Sequence, residues 1–471
     1  MTAGHARDPG ACRTRAKVMS TWLCVVLSAL SFMLLSPRAS GAATVAAGPE
    51  TFLQELQETW EEGGELPGWR FRAGAFSSDN IARVPDGEQD ELAAVGEFGA
   101  NWHSVGRRFA AAFDGSIAYR NYTRNDFDDE GRANFLAIGD VFIIPETLDW
   151  YIADRLANAP VDPLGTTSPV NVQFVNVLET GPRLTLRPGG SNELTLAVSR
   201  ADINAEESPI DHVRNTGALG YLHGISANSS LGILANVRQV DFDGGIDATD
   251  FDQHEAHLNF ESRNDTLFLA AAAGRSRFEL DDGFSQNDTT GWLRLRARRT
   301  SDSVIYAAVE RTANDTATSM LRDEAFLEQG GVPGFIVTGD PFISDNAIIR
   351  YTRGWRAHEW FVALNASEHD YLVSPLDRKH RGFRLGADFA LSTRLLLSLT
   401  AAETDIDYSD LSRSDLVRSL LLEADYRLGR NWSVVTGARY LDRESDDPAY
   451  EFTETMLSLF ASYSPQRDNE R

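Results

Sequence analysis

Residues 382–391 read Gly-Phe-Arg-Leu-Gly-Ala-Asp-Phe-Ala-Leu, and their order decides the fold. Phe383, Leu385, Ala387, Phe389 and Leu391 take the odd positions, while Arg384 and Asp388 share the even ones with Gly382 and Gly386. Side chains of an extended chain point alternately to opposite faces, so this is a strand with one oily and one wet face. The same rhythm returns in Leu293, Leu295 and Ala297 against Arg294, Arg296 and Arg298, and in Ile305, Ala307 and Val309 against Tyr306 and Glu310. Trp432, Val434, Thr436, Ala438 and Tyr440 alternate with Ser433, Gly437 and Arg439, and Leu457, Leu459, Ala461 and Tyr463 close the series.

Outward from that stretch, about twenty segments of this kind fill residues 69–463. The connections between them alternate in length. Tight turns such as His103–Gly106, Pro145–Asp149, Thr300–Ser303 and Gly429–Asn431 are interleaved with long acidic loops such as Asn158–Val170, Asp241–Asp252 and Asn314–Asp345. A soluble sandwich has no reason to gather every long loop at one end. A transmembrane barrel does, with short periplasmic turns and longer outer loops. The fold expected is therefore all-β: a transmembrane antiparallel up-and-down β-barrel of about twenty strands (about 16–22), with a short N-terminal helix. Trp69, Trp102, Trp150, Trp355, Trp360 and Trp432 flank the tight turns or the barrel start, which marks them as an aromatic girdle at a membrane boundary. Trp292, at the far end of its strand, is expected in the opposite girdle.

Composition agrees once its parts are separated. The 471 residues carry 44 basic and 69 acidic side chains, a net charge of −25, which speaks against a nucleic-acid partner. Arg13, Arg15 and Lys17 precede an apolar run, Val18–Leu35, and a small-residue stretch, Ala39–Ala43, the pattern of a secretory signal peptide over residues 1–42. Without that segment 39 basic and 68 acidic residues remain, a net of −29, and both cysteines, Cys12 and Cys24, are gone. Residues 43–68 are expected to be a periplasmic lead-in, with Phe52, Leu53, Leu56 and Trp60 on one side of a short amphipathic helix. Residues 464–471 form a polar C-terminal tail.

Several stretches carry a family resemblance: GAFSSDNIARVPDGE (74–88), IPETLDWYIADRL (144–156), SPVNVQFVNVLETGPRLTL (168–186), GDPFISDNAIIRYTRGW (339–355) and the hairpins with Arg-rich turns. Together they look like the porin-like outer-membrane β-barrels encoded with bacterial exopolysaccharide and exosortase (PEP-CTERM) loci. The resemblance covers roughly residues 69–463. It implies an outer-membrane channel or export-associated barrel. The partners implied are outer-membrane lipid and lipopolysaccharide, the barrel-assembly machinery and exopolysaccharide export components. Barrels of this type usually finish on an aromatic residue, whereas here eight more residues, Ser464–Arg471, follow Tyr463.

The chemistry such a barrel carries lies on its inner face. Arg294, Arg296, Arg298, Glu310, Arg384, Asp388, Glu423, Asp425, Arg427 and Arg439 are the candidate lumen-lining residues. Pairing Arg298 with Tyr306 across the Thr300–Ser303 turn sets Arg294 opposite Glu310. Opposed charges of that kind fix register and line either a selective conduit or simply a neutralised wet wall. The loop Asn314–Asp345 suits a constriction folded into the pore, and equally a surface loop. Acidic clusters such as 126–130 fit divalent cations or solvent alone, since none has EF-hand spacing. No catalytic residue, metal site or cofactor is expected. His254 and His257 are three apart on a strand and face opposite ways, and neither a nucleophile elbow nor a phosphate loop occurs. The readings that follow are a passive channel or export conduit, a structural or adhesive surface barrel with a closed lumen and, less favoured, an outer-membrane hydrolase.

Overall fold

The computed structural model describes residues 68–124, 127–208, 210–243, 249–321, 328–329, 332–333 and 338–465. The expected signal segment, the lead-in helix and the end of the tail lie outside these residues. Twenty long strands account for most of the rest. The first ten are β1 (Gly68–Ser78), β2 (Glu91–Val105), β3 (Phe109–Tyr122), β4 (Glu130–Ile144), β5 (Leu148–Ala159), β6 (Gln173–Leu186), β7 (Asn192–Ala205), β8 (His212–Ser226), β9 (Ser229–Phe242) and β10 (Phe251–Arg263). They continue as β11 (Leu267–Leu280), β12 (Ser285–Thr300), β13 (Ser303–Asn314), β14 (Phe342–Trp355), β15 (His358–Tyr371), β16 (Arg378–Ala390), β17 (Leu395–Tyr408), β18 (Arg413–Arg427), β19 (Trp432–Ser445) and β20 (Phe452–Tyr463). A short helix, α1 (Thr316–Leu321), follows β13.

Each strand pairs antiparallel with its neighbours in sequence, and β1 also pairs with β20, from Phe71 opposite Tyr463 to Ser78 opposite Met456. The sheet is closed, so no strand edge is left to pair elsewhere. At the end where the first strand begins and the last one stops, connections run from two to five residues; at the other they run from four to twenty-seven. We call these the turn end and the loop end.

The outward faces are apolar. Leu258, Val309, Leu364 and Leu459 are more than half exposed, and they repeat the alternation seen at 382–391. Left in water, each such side chain would forgo about 1.5–3 kcal/mol, so hydrocarbon is the solvent this surface calls for. On β11, β13 and β17 the first outward charges, Arg275, Arg311 and Glu403, come eight residues above the turn end. Eight residues rising about 3.3 Å each, on strands tilted about 40°, span roughly 20 Å, close to the apolar band of a membrane barrel. A one-residue slip of β16 would drive Arg384 and Asp388 into that band, which holds the register firmly.

The β12–β13 hairpin is tighter than expected. Arg298 stands opposite Val304, Arg296 opposite Tyr306, Arg294 opposite Ala308 and Trp292 opposite Glu310, with a bulge between Arg298 and Thr300. Thr300 pairs directly with Ser303, so the turn is only Ser301-Asp302, and the register moves by two residues. An even shift leaves every side chain on its expected face.

Small and polar side chains such as Ser433 and Ser462 are buried at the turn end, but the apolar clusters are not spread along the strands. They gather on the inward faces near the loop end, one of Ala159, Val175, Val177, Ala201, Ile203, Ile210 and Met320, another of Ile406, Tyr408, Val417, Leu441 and Phe452. The molecule's core is therefore one half of its lumen.

Candidate functional site

Near the turn end the inner wall is polar and wet. Arg294, Arg296, Arg298, Glu310, Arg384, Asp388, Glu423, Asp425, Arg427 and Arg439 all fall on inward positions of β12, β13, β16, β18 and β19. Arg294 reaches Glu310 diagonally, with Nη2 3.5 Å from Oε2. Arg439 reaches up to Glu454 of β20 at 2.9 Å. Arg350 of β14 lies over the Phe361 ring, 4.1 Å from its centroid. Gly386 makes room for that ring, because a Cβ there would sit 2.1 Å from it. Strands ten apart on a ring of twenty face one another. The β12–β16 wall presents Arg294, Arg296, Arg298, Arg350 and Arg384 against Glu310, Glu359 and Asp388. Across from it, β2–β5 present Glu97, Asp114, Asp140 and Asp149 against Arg155. Arg183 of β6 binds two of those acids, Asp140 at 3.0 Å and Asp149 at 2.7 Å. A field across this half of the lumen follows from the asymmetry.

Near the loop end the same wall is dry, because loops fold onto it. After β13 the chain turns inward: Asp315 caps α1 by accepting from the Thr318 amide at 2.5 Å, and Met320 packs among Val175, Val177, Ala201 and Ile203. The Asp315 carboxylate also meets Arg214 of β8 at 3.2 Å, and the Thr318 hydroxyl accepts from the same guanidinium at 2.8 Å. Arg214 Nη2 then donates to Glu179 of β6 at 2.6 Å, and Tyr151 and Ser199 donate to the other Glu179 oxygen at 2.6 and 2.8 Å. Arg214, Glu179 and Asp315 are each under 5% exposed. Burial alone would raise the Asp315 pKa, but Arg214, Arg238, the Thr318 hydrogen bond and His212 outweigh it and hold the carboxyl well below the usual range. Six groups from four strands and one loop thus form a latch. The described part of the 314–345 loop is infolded; its expected aromatics Phe326 and Phe335 lie outside the described residues.

A second loop, 160–172, enters from the β5–β6 side and ends against strands six positions round the ring. The Leu164 carbonyl accepts from Arg413 of β18 at 3.2 Å and Arg443 of β19 at 2.9 Å, and its side chain joins the Ile406–Phe452 cluster. Both arginines converge on Asp415, at 2.6 and 2.5 Å, and flank the Tyr450 ring. The β1–β2 loop adds Arg83, which donates to the Thr167 carbonyl at 2.5 Å and pairs with Glu454 at 3.0 Å.

One of these expectations changes. Trp292 is on the inward face, its ring 5.1 Å from that of His257, and belongs to no outer girdle. Its neighbours in register settle this: Leu293 and Leu295 occupy the lipid side. His257 is buried beside Thr290 at 2.8 Å, while His254 faces outward, so the pair does not converge. The other six tryptophans among the described residues stand on outward positions near the turn end. Trp69, Phe98, Tyr463 and Trp432 make a chain of rings, with centroids 4.9 to 6.2 Å apart, across the β1–β20 seam. Sequence reasoning missed the latch, because a single inward Arg or Glu looks like any other lumen residue. The usable signal was Asp315-x-x-Thr318, a helix start inside a loop.

A closed twenty-stranded antiparallel barrel with an apolar belt, an aromatic ring at its turn end and a charged interior is a porin-like β-barrel of the outer-membrane kind. The family described as "Putative beta-barrel porin 2" matches residues 379–462, the part running from β16 to β20. No curated protein sequence matches the chain. Among solved structures, the apoprotein form of the FrpB iron transporter from Neisseria meningitidis (F5-1 variant) is similar with TM-score 0.47 and 8% identity over 87% of this chain and 82% of that one. The siderophore receptor PirA from Pseudomonas aeruginosa is similar with TM-score 0.39 and 10% identity over 84% and 80% of the two chains.

Proposed function

We propose that the protein is an outer-membrane transport barrel, not an enzyme, and that its lumen is a conduit held shut by its own loops. The observation that carries this reading is the division of one inner wall into a wet half and a half sealed by α1 and residues 160–172. The seal on the β6–β8 wall rests on a helix of only six residues tied by one ion-pair network. Such a latch has few contacts to lose, which suits a gate better than a permanent plug. The resemblance to barrels of exopolysaccharide loci supplies the candidate cargo, a polysaccharide chain in export, entering from the side where the turns lie.

The same packing favours a second reading, a surface barrel whose lumen never opens. Planar-bilayer recording separates the two. The gated conduit predicts rare openings in the wild-type chain and sustained conductance in Asp315→Asn. Silence in both, with the variant folded, leaves only the closed barrel.

A further inference from the structure

We propose that Arg378, His369, His380 and Ser367 form a receptor for a single oxyanion, a carboxylate or a phosphate, inside the loop-end half of the lumen. Arg378 opens β16 and points inward, opposite His369 of β15 and Tyr408 of β17. It is 2% exposed, one of the largest fully buried side chains of the barrel. Its Nε and Nη2 reach nothing better than His369 Nδ1, both at 3.4 Å, and no described carboxylate pairs with it. The adjacent Asp377 serves the Tyr371 amide instead, at 2.7 Å.

Two strands along, buried arginines are treated differently. Arg413 and Arg443 share Asp415, which also accepts from Ser445 at 2.5 Å. A guanidinium taken out of water without a carboxylate partner costs several kcal/mol, so Arg378 is set to hold an anion. Its surroundings agree. His380 is 1% exposed, its ring 6.0 Å from that of His369, and neither of its nitrogens has a partner. Ser367, opposite His380 in register and 5% exposed, has an unpartnered hydroxyl. Guanidinium, imidazole and hydroxyl each have a proton to donate. Phe342, with its ring 5.3 Å from His369, and Tyr371 wall the group off from water.

The donor set selects the ligand. A guanidinium fork matches two oxygens of one planar or tetrahedral anion, and burial strengthens those bonds. A metal ion is opposed by the fixed positive charge, and no cluster of three metal-binding side chains occurs among the described residues. An acidic group carried on a solute in the lumen fits. The site stands whether or not the barrel conducts, since it needs only access for a small anion.

The test is titration calorimetry on the full chain in detergent, with sodium phosphate and sodium acetate at ionic strength held constant with chloride. One of the two anions should bind with a dissociation constant on the order of 1 mM or tighter. The arm that responds tells a phosphorylated from a carboxylated solute. Arg378→Met should weaken binding at least tenfold, and His380→Phe severalfold. Arg294→Gln, in the wet half, should leave it unchanged. Absence of binding by both anions, or undiminished binding by folded Arg378→Met, overturns the proposal. Should Arg378→Met not fold, Arg378→Lys keeps the charge without the fork and must still bind more weakly. Because the readout is heat and not current, its failure is distinct from failure of the conduit reading.

Discussion

The two halves of the lumen are built from the same twenty strands and differ in almost everything else. Toward the turn end the inward side chains of β12, β16 and β18 keep some exposure, from partial at Arg294 and Arg384 to open at Asp388. Toward the loop end, on the same ring of strands, Val177, Ile203 and Ile406 are at most 1% exposed. Alternation decides which face a residue takes. Loops decide whether that face is a channel wall or a core. The difference also leaves a trace in composition: inward valines and isoleucines belong beneath something, because an open lumen would leave them in water.

The largest effect should come from Arg214→Leu. It leaves Glu179 and Asp315 as buried, uncompensated anions, a cost of about 3–5 kcal/mol. If that cost falls on the latched state, the open population rises by two to more than three orders of magnitude. Bilayer conductance should become sustained. With Cys12 and Cys24 confined to the expected signal segment, a Val177→Cys probe should become reactive only in the Arg214→Leu background. An unreactive cysteine and a silent bilayer would mean that the loop-end packing is permanent.

Asp415→Asn tests the other seal and should do less. Arg413 keeps its contacts with the Tyr408 and Tyr450 rings, and both arginines keep the Leu164 carbonyl. A loss of about 1–3 kcal/mol is expected, with an Ile406→Cys probe gaining reactivity while Val177→Cys does not. Equal gains at both probes would show that the two loops open as one unit.

How far the halves were legible in sequence follows from the same contrast. Twenty strands, nine tight turns and the inward side of Arg294, Arg384, Glu423 and Arg439 are all readable from period-two alternation, because each depends on local geometry. The hairpin register of β12–β13 was off by two, since turn length is set by a bulge that leaves no mark in polarity. Trp292 was misplaced because an aromatic near a strand end suits lipid or lumen equally; its parity against Leu293 held the answer. The closure was hardest. Arg214 and Asp315 are 101 residues apart, and nothing local says that they meet. Arg378 illustrates the limit from the other side, because a lone arginine at a strand start reads as an exposed rim residue until its burial is known.

In the wet half, changes should be gentle. Arg294→Gln, Arg296→Gln and Arg298→Gln together remove three charges from the β12 wall. The Arg294–Glu310 pair is largely buried, but Asn346 also donates to Glu310 and a Gln side chain at 294 can still donate there, so the loss of stability should be about 1–2 kcal/mol. Measured in the Arg214→Leu background, where current flows, the reversal potential should shift toward cation selectivity as the opposing acids of β2–β5 come to dominate. An unchanged reversal potential removes these arginines from any selecting role and makes the wet wall mere neutral lining.

The smallest expected effect is the response to mild acid, and its smallness is informative. Asp315 is the latch group that lies outside the strands, and its pKa is depressed: burial pushes it up, but Arg214, then Arg238, the Thr318 hydroxyl and His212 pull it down further. A carboxyl lowered on folding adds stability that is present above its unfolded pKa, about 3.9, and is lost only as pH falls through the lower folded value. Between pH 7 and about 4.5 the Asp315 carboxyl therefore stays ionised and its pairing with Arg214 persists. Wild-type conductance should stay flat across that window, with opening confined to pH below about 3.9. A conductance that rises between pH 6 and 5 would show that a group other than Asp315 titrates, such as the neighbouring His212 or the acidic loops, and that the Asp315–Arg214 pair alone does not control the lumen.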